Sequence, residues 1–476
     1  MFDFNNDFKP QIRVKRIPAD RISPAAVLEK LKPTALLESA CHETGNGKYS
    51  LLILKEAFSI IKDKDEYYLK TPARKKFHIS TPLGSYLEIL GEFRSRAPDP
   101  SILNGLPTPF GGIGYFAYEF IDEHLSVDFQ KTDERKLYES AFIFGRTFII
   151  FNHVHNEAVI ISVNYENETE PADLDKEILD AETRLDNMIR DGFSSNIPEE
   201  INGEILVEGD EKRFLKSAGL IKKEIEKNNL IQCALSSRME LRTGSNPHEL
   251  YRNLRLHRPS PYMFFLNCRL FTIIGASPVM MVKVKNNIIR ANPLSVLPAG
   301  NTVRDEDDIS SLNINEKTGG RAKHLTLIDV ERNDLARISG GGSIKLSEKM
   351  SIKKHAHRMV MVSRLESILE KGYAVNDVIS AVLPAAGVSG APKLNAVKMI
   401  EKLEKERRGP FAGVVGYFEK DGSFDSCVAV DTVICKKERI WLQALTTITY
   451  DSVPGEKYRD TQQKISSLLA AFNIKI

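Results

Sequence analysis

Residues 321–337 read R-A-K-H-L-T-L-I-D-V-E-R-N-D-L-A-R, and this stretch gathers side chains that could do chemistry. His324 could carry a proton. Lys323 could supply charge or, buried with a lowered pKa, act as a base. Each group also has a plainer reading. His324 reads as a packed scaffold histidine, and Glu331-Arg332-Asn333-Asp334 as a solvated helix end with internal ion pairs. His355 and His357 stand two apart, too weak a pattern for a metal site, and read as surface or half-buried residues at a helix start. Lys393 reads as one half of a salt bridge, and Glu401–Arg408 as a charge run on a solvated helix face.

The elements that must position these groups form two regions. Residues 1–200 are strand-rich, with a β-hairpin turning at 152–156 and an amphipathic helix through 173–189. In Pro109-Phe-Gly-Gly-Ile-Gly-Tyr-Phe-Ala-Tyr-Glu119, three glycines lie among aromatics. Glycines there permit close backbone approach, and Tyr115, Phe116 and Tyr118 read as core. No Lys-Ser/Thr follows at phosphate-loop spacing. The polar stretch 194–203, with a proline and a glycine, reads as the domain boundary. Residues 205–476 alternate helices and hairpins. Helices are expected at 212–227, 321–337, 357–371, 390–405 and 456–471. Strands are expected at 262–266 and 271–275, with one hairpin across 286–287 and another of 428–435 with 440–445 across 436–439. Strand pairs interleaved with helices, without βαβ regularity, indicate an α+β fold with antiparallel sheets.

The totals narrow the function. The chain has 476 residues, 42% hydrophobic and 27% charged, enough for two or three ordinary globular domains. With 66 basic and 64 acidic residues the net charge is +2, which argues against nucleic-acid binding. Five cysteines (Cys41, Cys233, Cys268, Cys427, Cys435) show no C-x-x-C spacing, so reduced thiols in the cytoplasm are expected. No apolar run suits a membrane span, and MFDFNNDFKP lacks the pattern of a signal peptide.

The 321–337 stretch resembles the E-H-x-x-L-x-D-x-x-R-N-D-L-x-R helix of the chorismate-utilising enzymes, the family of anthranilate synthase component I. The resemblance covers nearly the whole chain. Gln232-Cys-Ala-Leu-Ser-Ser-Arg238, Gly275-Ala-Ser-Pro278, Pro298-Ala-Gly300, Val388-Ser-Gly-Ala-Pro-Lys393, Arg407-Arg-Gly-Pro410 and Gly413-Val-Val-Gly-Tyr417 also match. It implies the chorismate-binding α+β fold, two antiparallel sheets packed as a sandwich with flanking helices. Region 1–200 would be the component I-like N-terminal part and 205–476 the chorismate-binding part. Ala299 and Gln232 favour the anthranilate branch. In the tryptophan-pathway members, the segments matching Leu36–Ser39, Gly47–Ser50 and Pro259–Met263 build a tryptophan effector site. The resemblance therefore marks Glu38, Ser39, Lys48, Pro261, Tyr262 and Met263 as a regulatory site, with Arg258 where the family has asparagine. It also implies a glutamine amidotransferase subunit as partner, because this chain has no glutaminase region, and a small-molecule effector.

The scaffold matches while the site does not. The family reaction adds ammonia to chorismate, loses the 4-hydroxyl and eliminates pyruvate, with magnesium on the substrate's ring carboxylate. The family's magnesium glutamates correspond to Gly320, Lys323, Lys457 and Asp460, a shift of five charge units toward positive. At about 4 Å and an effective dielectric of about 20, each ammonium opposes a unit positive charge by about 4 kcal/mol, and a dication by twice that. The catalytic histidine is Val360, and the arginine that grips the enolpyruvyl carboxylate is Asp431. The G-A-G loop is Leu445-Thr446-Thr447. Two threonines are Gly387 and Asn301, with Thr302 a partial stand-in, and the substrate-facing tyrosine is Phe411. Lys393 and Gln232 remain at substrate-side positions. The expectation is a silenced or re-purposed homologue with no cofactor, its cleft closed by ion pairs of Lys323 and Lys457 with Asp431 and Asp460. The alternatives are a working magnesium-dependent anthranilate or aminodeoxychorismate synthase large subunit, or a metal-independent enzyme on a chorismate-related substrate.

Overall fold

The computed structural model describes residues 7–40, 47–73, 75–79, 84–125, 127–192, 200–296, 320–355 and 358–476. Side chains on a strand point alternately to opposite faces, and here both faces meet apolar cores. In Tyr49–Asp63, Leu51 and Ile53 enter one core while Leu52 and Leu54 enter another. In Tyr262–Asn267, Phe264 and Leu266 join the first, and Met263 and Phe265 the second. Ser140–Asn152 is buried along its whole length, which accounts for its nearly unbroken apolar sequence. The first core also takes the helices Tyr86–Ser95, Glu211–Glu226, Val375–Val382 and Lys393–Leu403. The second takes Pro24–Leu31, Leu174–Arg190, Pro247–His257 and Pro454–Ala471.

Among the described residues, strand pairing is antiparallel, apart from Ile474–Lys475 against Ile201–Val207, which is parallel. This is the α+β class with flanking helices. Strands from both halves of the sequence pair directly. Ala35–Glu38 joins Tyr262–Asn267, and Ile113–Phe116 joins Val414–Phe418. Gly114 lies between Phe142 and Gly416 on neighbouring strands, and a Cβ there would overlap the Ala141 carbonyl oxygen. Tyr115, Phe116 and Tyr118 are core, as expected. Local chemistry sets the helix starts and the tight turns. Asp173 and Asp210 accept hydrogen bonds from Lys176 N and Arg213 N at two N-termini. Asn286 and Asn287, at φ of 54° and 60°, turn Met280–Lys285 into Ile288–Ala291 in the manner of a type I′ hairpin.

Three expectations need correction. The helix expected at 357–371 is a strand, Arg358–Ile368. It pairs with Lys345–His355 on one edge and with Ile288–Ala291 and Leu294–Val296 on the other. Val360, Met361 and Val362 are all buried, so both faces are covered, and such an apolar run looks alike as a buried strand or helix. His355 therefore ends a strand, and His357 lies outside the described residues. The 401–408 run is not a solvated face either. Its helix stops at Leu403, and Arg408, 1% exposed, reaches Glu404 at 2.7 Å and the carbonyls of Val388 and Ala234. Thr432–Lys436 and Arg439–Ile448 form the hairpin across 436–439, whereas Val428 belongs to a separate strand, Phe424–Val428.

Candidate functional site

The helix Gly320–Ala336 packs on Leu294–Val296, on Arg358–Ile368 and on the short 3-10 turn Ala386–Val388. That turn also touches Arg439–Ile448, over which lies the helix Pro454–Ala471. On these elements stand Gly320, Lys323, Lys457, Asp460 and 445–447, the positions that the resemblance matched to magnesium ligands and a glycine loop. Lys457 is half-buried in the first turn of its helix. Burial lowers its pKa, and the nearby charge of Lys323 lowers it further. Asp460 is already engaged. Lys464 Nζ lies 2.9 Å from its Oδ2, and Thr446 Oγ1 donates to the same oxygen at 2.9 Å. Lys464 also donates to the Leu445 carbonyl at 3.0 Å. Burial opposes the Asp460 charge, but Lys464 and Thr446 hold its pKa below the ordinary value. The expected pairing of Asp460 with Lys323 or Lys457 is therefore replaced by a pair within one helix, four residues apart, the spacing that puts side chains on one face.

Asp431 pairs elsewhere too. Arg258 Nη1 lies 3.3 Å from Asp431 Oδ2, and Arg258 Nη2 donates to Ser467 Oγ at 2.8 Å. The long guanidinium stem reaches this acid, whereas the expected partners Lys323 and Lys457 do not. Arg258 precedes the Pro259–Met263 segment, whose strand lies beside the other two segments that the resemblance marked for an effector site. Met263 pairs with Glu38, and Glu38 pairs with Ser50. Their side chains are largely committed. Arg255 grips Glu38 through Nε and Nη2 at 2.7–3.0 Å, and Tyr251 donates to it at 2.9 Å. Tyr262 donates to Asp425 at 3.2 Å. Pro261 and Met263 are buried, Ser39 is half-buried and Lys48 is exposed.

Lys393 forms the salt bridge read from the sequence, with Nζ 2.7 Å from Asp334 Oδ2 and further bonds to the Ala381 and Val382 carbonyls. Asp334 is thus interior, not solvated; the surface pair on this helix is Arg332 with Asp329. Glu331 Oε2 is buried without a hydrogen-bond partner, and burial, followed by repulsion from Asp334, pushes its pKa up to about 8. His324 is fully buried between Ser295 and Ser363, its ring nitrogens 2.9 and 2.8 Å from their hydroxyls, and burial lowers its pKa to about 4. This is a packed histidine. Val360 and Phe411 are buried apolar side chains, and Gln232 is buried where its strand meets Ala391. Thr447 is half-buried beside Ala234. A Cβ on Gly387 would meet nothing within 4 Å, so space remains there. Asn301 lies outside the described residues. The sequence reading missed Lys464 as the partner of Asp460, although the four-residue spacing signalled it.

Among the described residues, no three His, Cys, Asp or Glu side chains are grouped to hold a metal ion. No helix among them is long and apolar enough to cross a membrane.

This fold and the motifs around the site define a class. The family model described as "chorismate binding enzyme" matches residues 40–470, and the chain belongs to that family. It is similar to anthranilate synthase component 1 of Spirochaeta aurantia, at 30% identity over 489 residues covering all of both chains. It is also similar to that of Aquifex aeolicus, at 30% identity over 96% of this chain and 93% of the relative. Among solved structures it is similar to anthranilate synthase component I from Streptococcus pneumoniae TIGR4, with 26% identity and a TM-score of 0.76 over 95% of this chain and 99% of the other. The menaquinone-specific isochorismate synthase MenF of Escherichia coli shares the fold at 14% identity and a TM-score of 0.71, covering 98% of this chain and 95% of the other.

Proposed function

We propose that this anthranilate synthase component I-like protein has given up the magnesium-dependent conversion of chorismate, and that its cleft is silent or re-purposed. The observation that carries this reading is the charge arrangement at the positions matching the family's metal ligands. Magnesium takes oxygen ligands in near-octahedral geometry. Here two ammoniums, Lys323 and Lys457, stand near each other, and the remaining carboxylate, Asp460, is held by Lys464 and Thr446. This donor set does not fit the ion. Val360 in place of the histidine leaves no proton carrier there, and Asp431, bridged to Arg258, offers no cation to a substrate carboxylate. The regulatory pocket follows the same pattern, with Arg255 and Tyr251 occupying Glu38.

The competing reading is a working anthranilate synthase large subunit in the tryptophan pathway, supplied with ammonia by a glutamine amidotransferase partner. Full-length similarity to proteins named anthranilate synthase component 1 favours it. A cytoplasmic setting suits either reading, since the described cysteines Cys233, Cys268, Cys427 and Cys435 are free and buried. Calorimetric titration of chorismate, with and without magnesium, separates the two while anthranilate fluorescence is followed in ammonium buffer. The loss reading expects no magnesium-dependent heat and no fluorescence. Magnesium-dependent turnover at ordinary enzyme rates would overturn it.

A further inference from the structure

A cavity of about 400 Å3 opens between the segment 127–131 and the helix Lys393–Leu403. Val127, Asp128, Gln130 and Lys131 line one side, and Lys398, Glu401 and Lys402 the other. None of them is a position matched to the family's substrate or metal. The segment is pinned in place, because Arg407 donates from Nε to the Lys131 carbonyl at 2.7 Å and from Nη2 to the Phe129 carbonyl at 2.8 Å. Lys131 Nζ is buried without a hydrogen-bond partner, and its ion pair with Glu401 Oε2 is long, at 3.4 Å. Lys398 and Lys402 are exposed and four residues apart, so they share a helix face and repel each other. Among the described residues neither makes an ion pair or a side-chain hydrogen bond. The acids around the cavity are already engaged. Glu401 has Lys131, and Asp128 accepts from Gln130 Nε2 at 2.9 Å. Glu404 is held by Arg408 at 2.7 Å, and Glu224, which feels the charge of Lys402, is held by Lys227 and Asn229. Three ammoniums thus line the cavity against two carboxylates. Burial lowers the Lys131 pKa although Glu401 and Glu404 raise it, and Arg213, bonded to the Leu403 carbonyl, adds a further positive charge.

We propose that this cavity binds a small molecule by an oxyanion head, a carboxylate or a phosphate, held by the ammoniums of Lys131, Lys398 and Lys402. The volume suits a small organic ligand. Val127 and the apolar stems of the lysines cover its body, and each ammonium brings three donors to its head. The anion supplies the hydrogen-bond partner that Lys131 Nζ lacks and relieves the repulsion between Lys398 and Lys402. The inference stands apart from the magnesium chemistry argued above, since the two rest on different residues.

The test titrates the full chain with phenyl phosphate and with benzoate, which share a ring and differ in the head. Calorimetry is expected to show saturable binding of at least one, and the tighter of the two assigns the head as phosphate or carboxylate. Lys131→Gln, Lys398→Gln and Lys402→Gln are each expected to weaken binding about tenfold, the scale of one hydrogen bond to a charged group. Lys398 and Lys402 are exposed, so their double variant is expected to melt with the parent while losing saturation. Glu401→Gln removes the competing carboxylate and is expected to tighten binding, whereas Lys371→Gln, at an exposed lysine outside the cavity, leaves it unchanged. The proposal is overturned if neither probe saturates the chain, if the double variant binds as the parent does, or if Glu401→Gln fails to tighten binding. Magnesium-dependent chorismate turnover, measured beside it, decides the earlier reading and leaves this one untouched.

Discussion

Replacing Lys393 by methionine keeps much of its apolar bulk and removes one ammonium from the interior. The Lys393–Asp334 pair is 2.7 Å apart with both side chains 11% exposed, and Glu331 lies close enough to feel both charges. Burial lowers the Lys393 pKa and raises that of Asp334, each away from its charged form, so desolvation outweighs the mutual attraction. A pair of this kind contributes little net stability while intact, yet losing one partner costs about 3–5 kcal/mol because a buried charge is left behind. Unfolding entropy of about 2.1 cal/mol/K per residue gives about 1 kcal/mol/K for a chain this long, so Lys393→Met should lower Tm by about 3–5 °C. Asp334→Asn added to Lys393→Met should recover at least about 1 kcal/mol of that loss, because the two sites share one interaction. Calorimetric melting of parent, single and double variants measures both quantities. A Lys393→Met melt within about 1 °C of the parent, or losses that simply add in the double variant, would refute the reasoning.

Further outcomes follow from other groups. Glu331 titrates at about 8 and Glu119 at about 7 in the fold, both above a free glutamate, so the folded state binds more protons than the unfolded chain across this range. Their contribution to stability should therefore fall as pH rises from 5 to 8, and Glu331→Gln should flatten that fall; an unchanged Tm-against-pH slope in the variant would contradict the burial argument. Gly114→Ala should destabilise by several kcal/mol, about the cost of severe overpacking or worse, because its Cβ meets backbone, while Gly387→Ala should melt within about 1 °C of the parent. Equal melting of the two variants would show that the space at these glycines has been misjudged. Arg258→Ala should lose about 1–3 kcal/mol by removing the guanidinium from Asp431 and Ser467, and Asp431→Asn should relieve part of that loss; urea midpoints decide whether it does.

Much of the fold was legible where local chemistry and pattern agreed. Asn286-Asn287 announced a turn that only residues tolerant of positive φ make readily, and the helix read at 173–189 does begin from Asp173. The misreading of Arg358–Ile368 has a physical source, since a strand covered on both faces loses the alternation that distinguishes it from a helix. The motif correspondence singled out Lys323, Lys457, Asp460 and Thr446; in the structure Thr446 bonds to Asp460, and the charges of Lys323 and Asp460 both act on Lys457. Ionic partners were less legible because they depend on reach. Arg258 extends across to Asp431, and Lys464 takes Asp460 from one turn away. Nor did sequence alone reveal that Asp334 and Arg408 turn inward, since charged residues are rarely fully buried unless paired, and their partners lie on other segments or beyond a helix end.

Where the resemblance places asparagine and arginine, this chain holds Arg258 and Asp431, bridged at 3.3 Å. The positive charge has in effect moved from one site to the other. Returning arginine to position 431 alone would set two guanidiniums against each other. Placing asparagine at 258 alone would take from Asp431, whose side chain is only 18% exposed, an ion-pair partner. Each single exchange is uphill, so anyone building an arginine at position 431 in this scaffold would change 258 and 431 in one step.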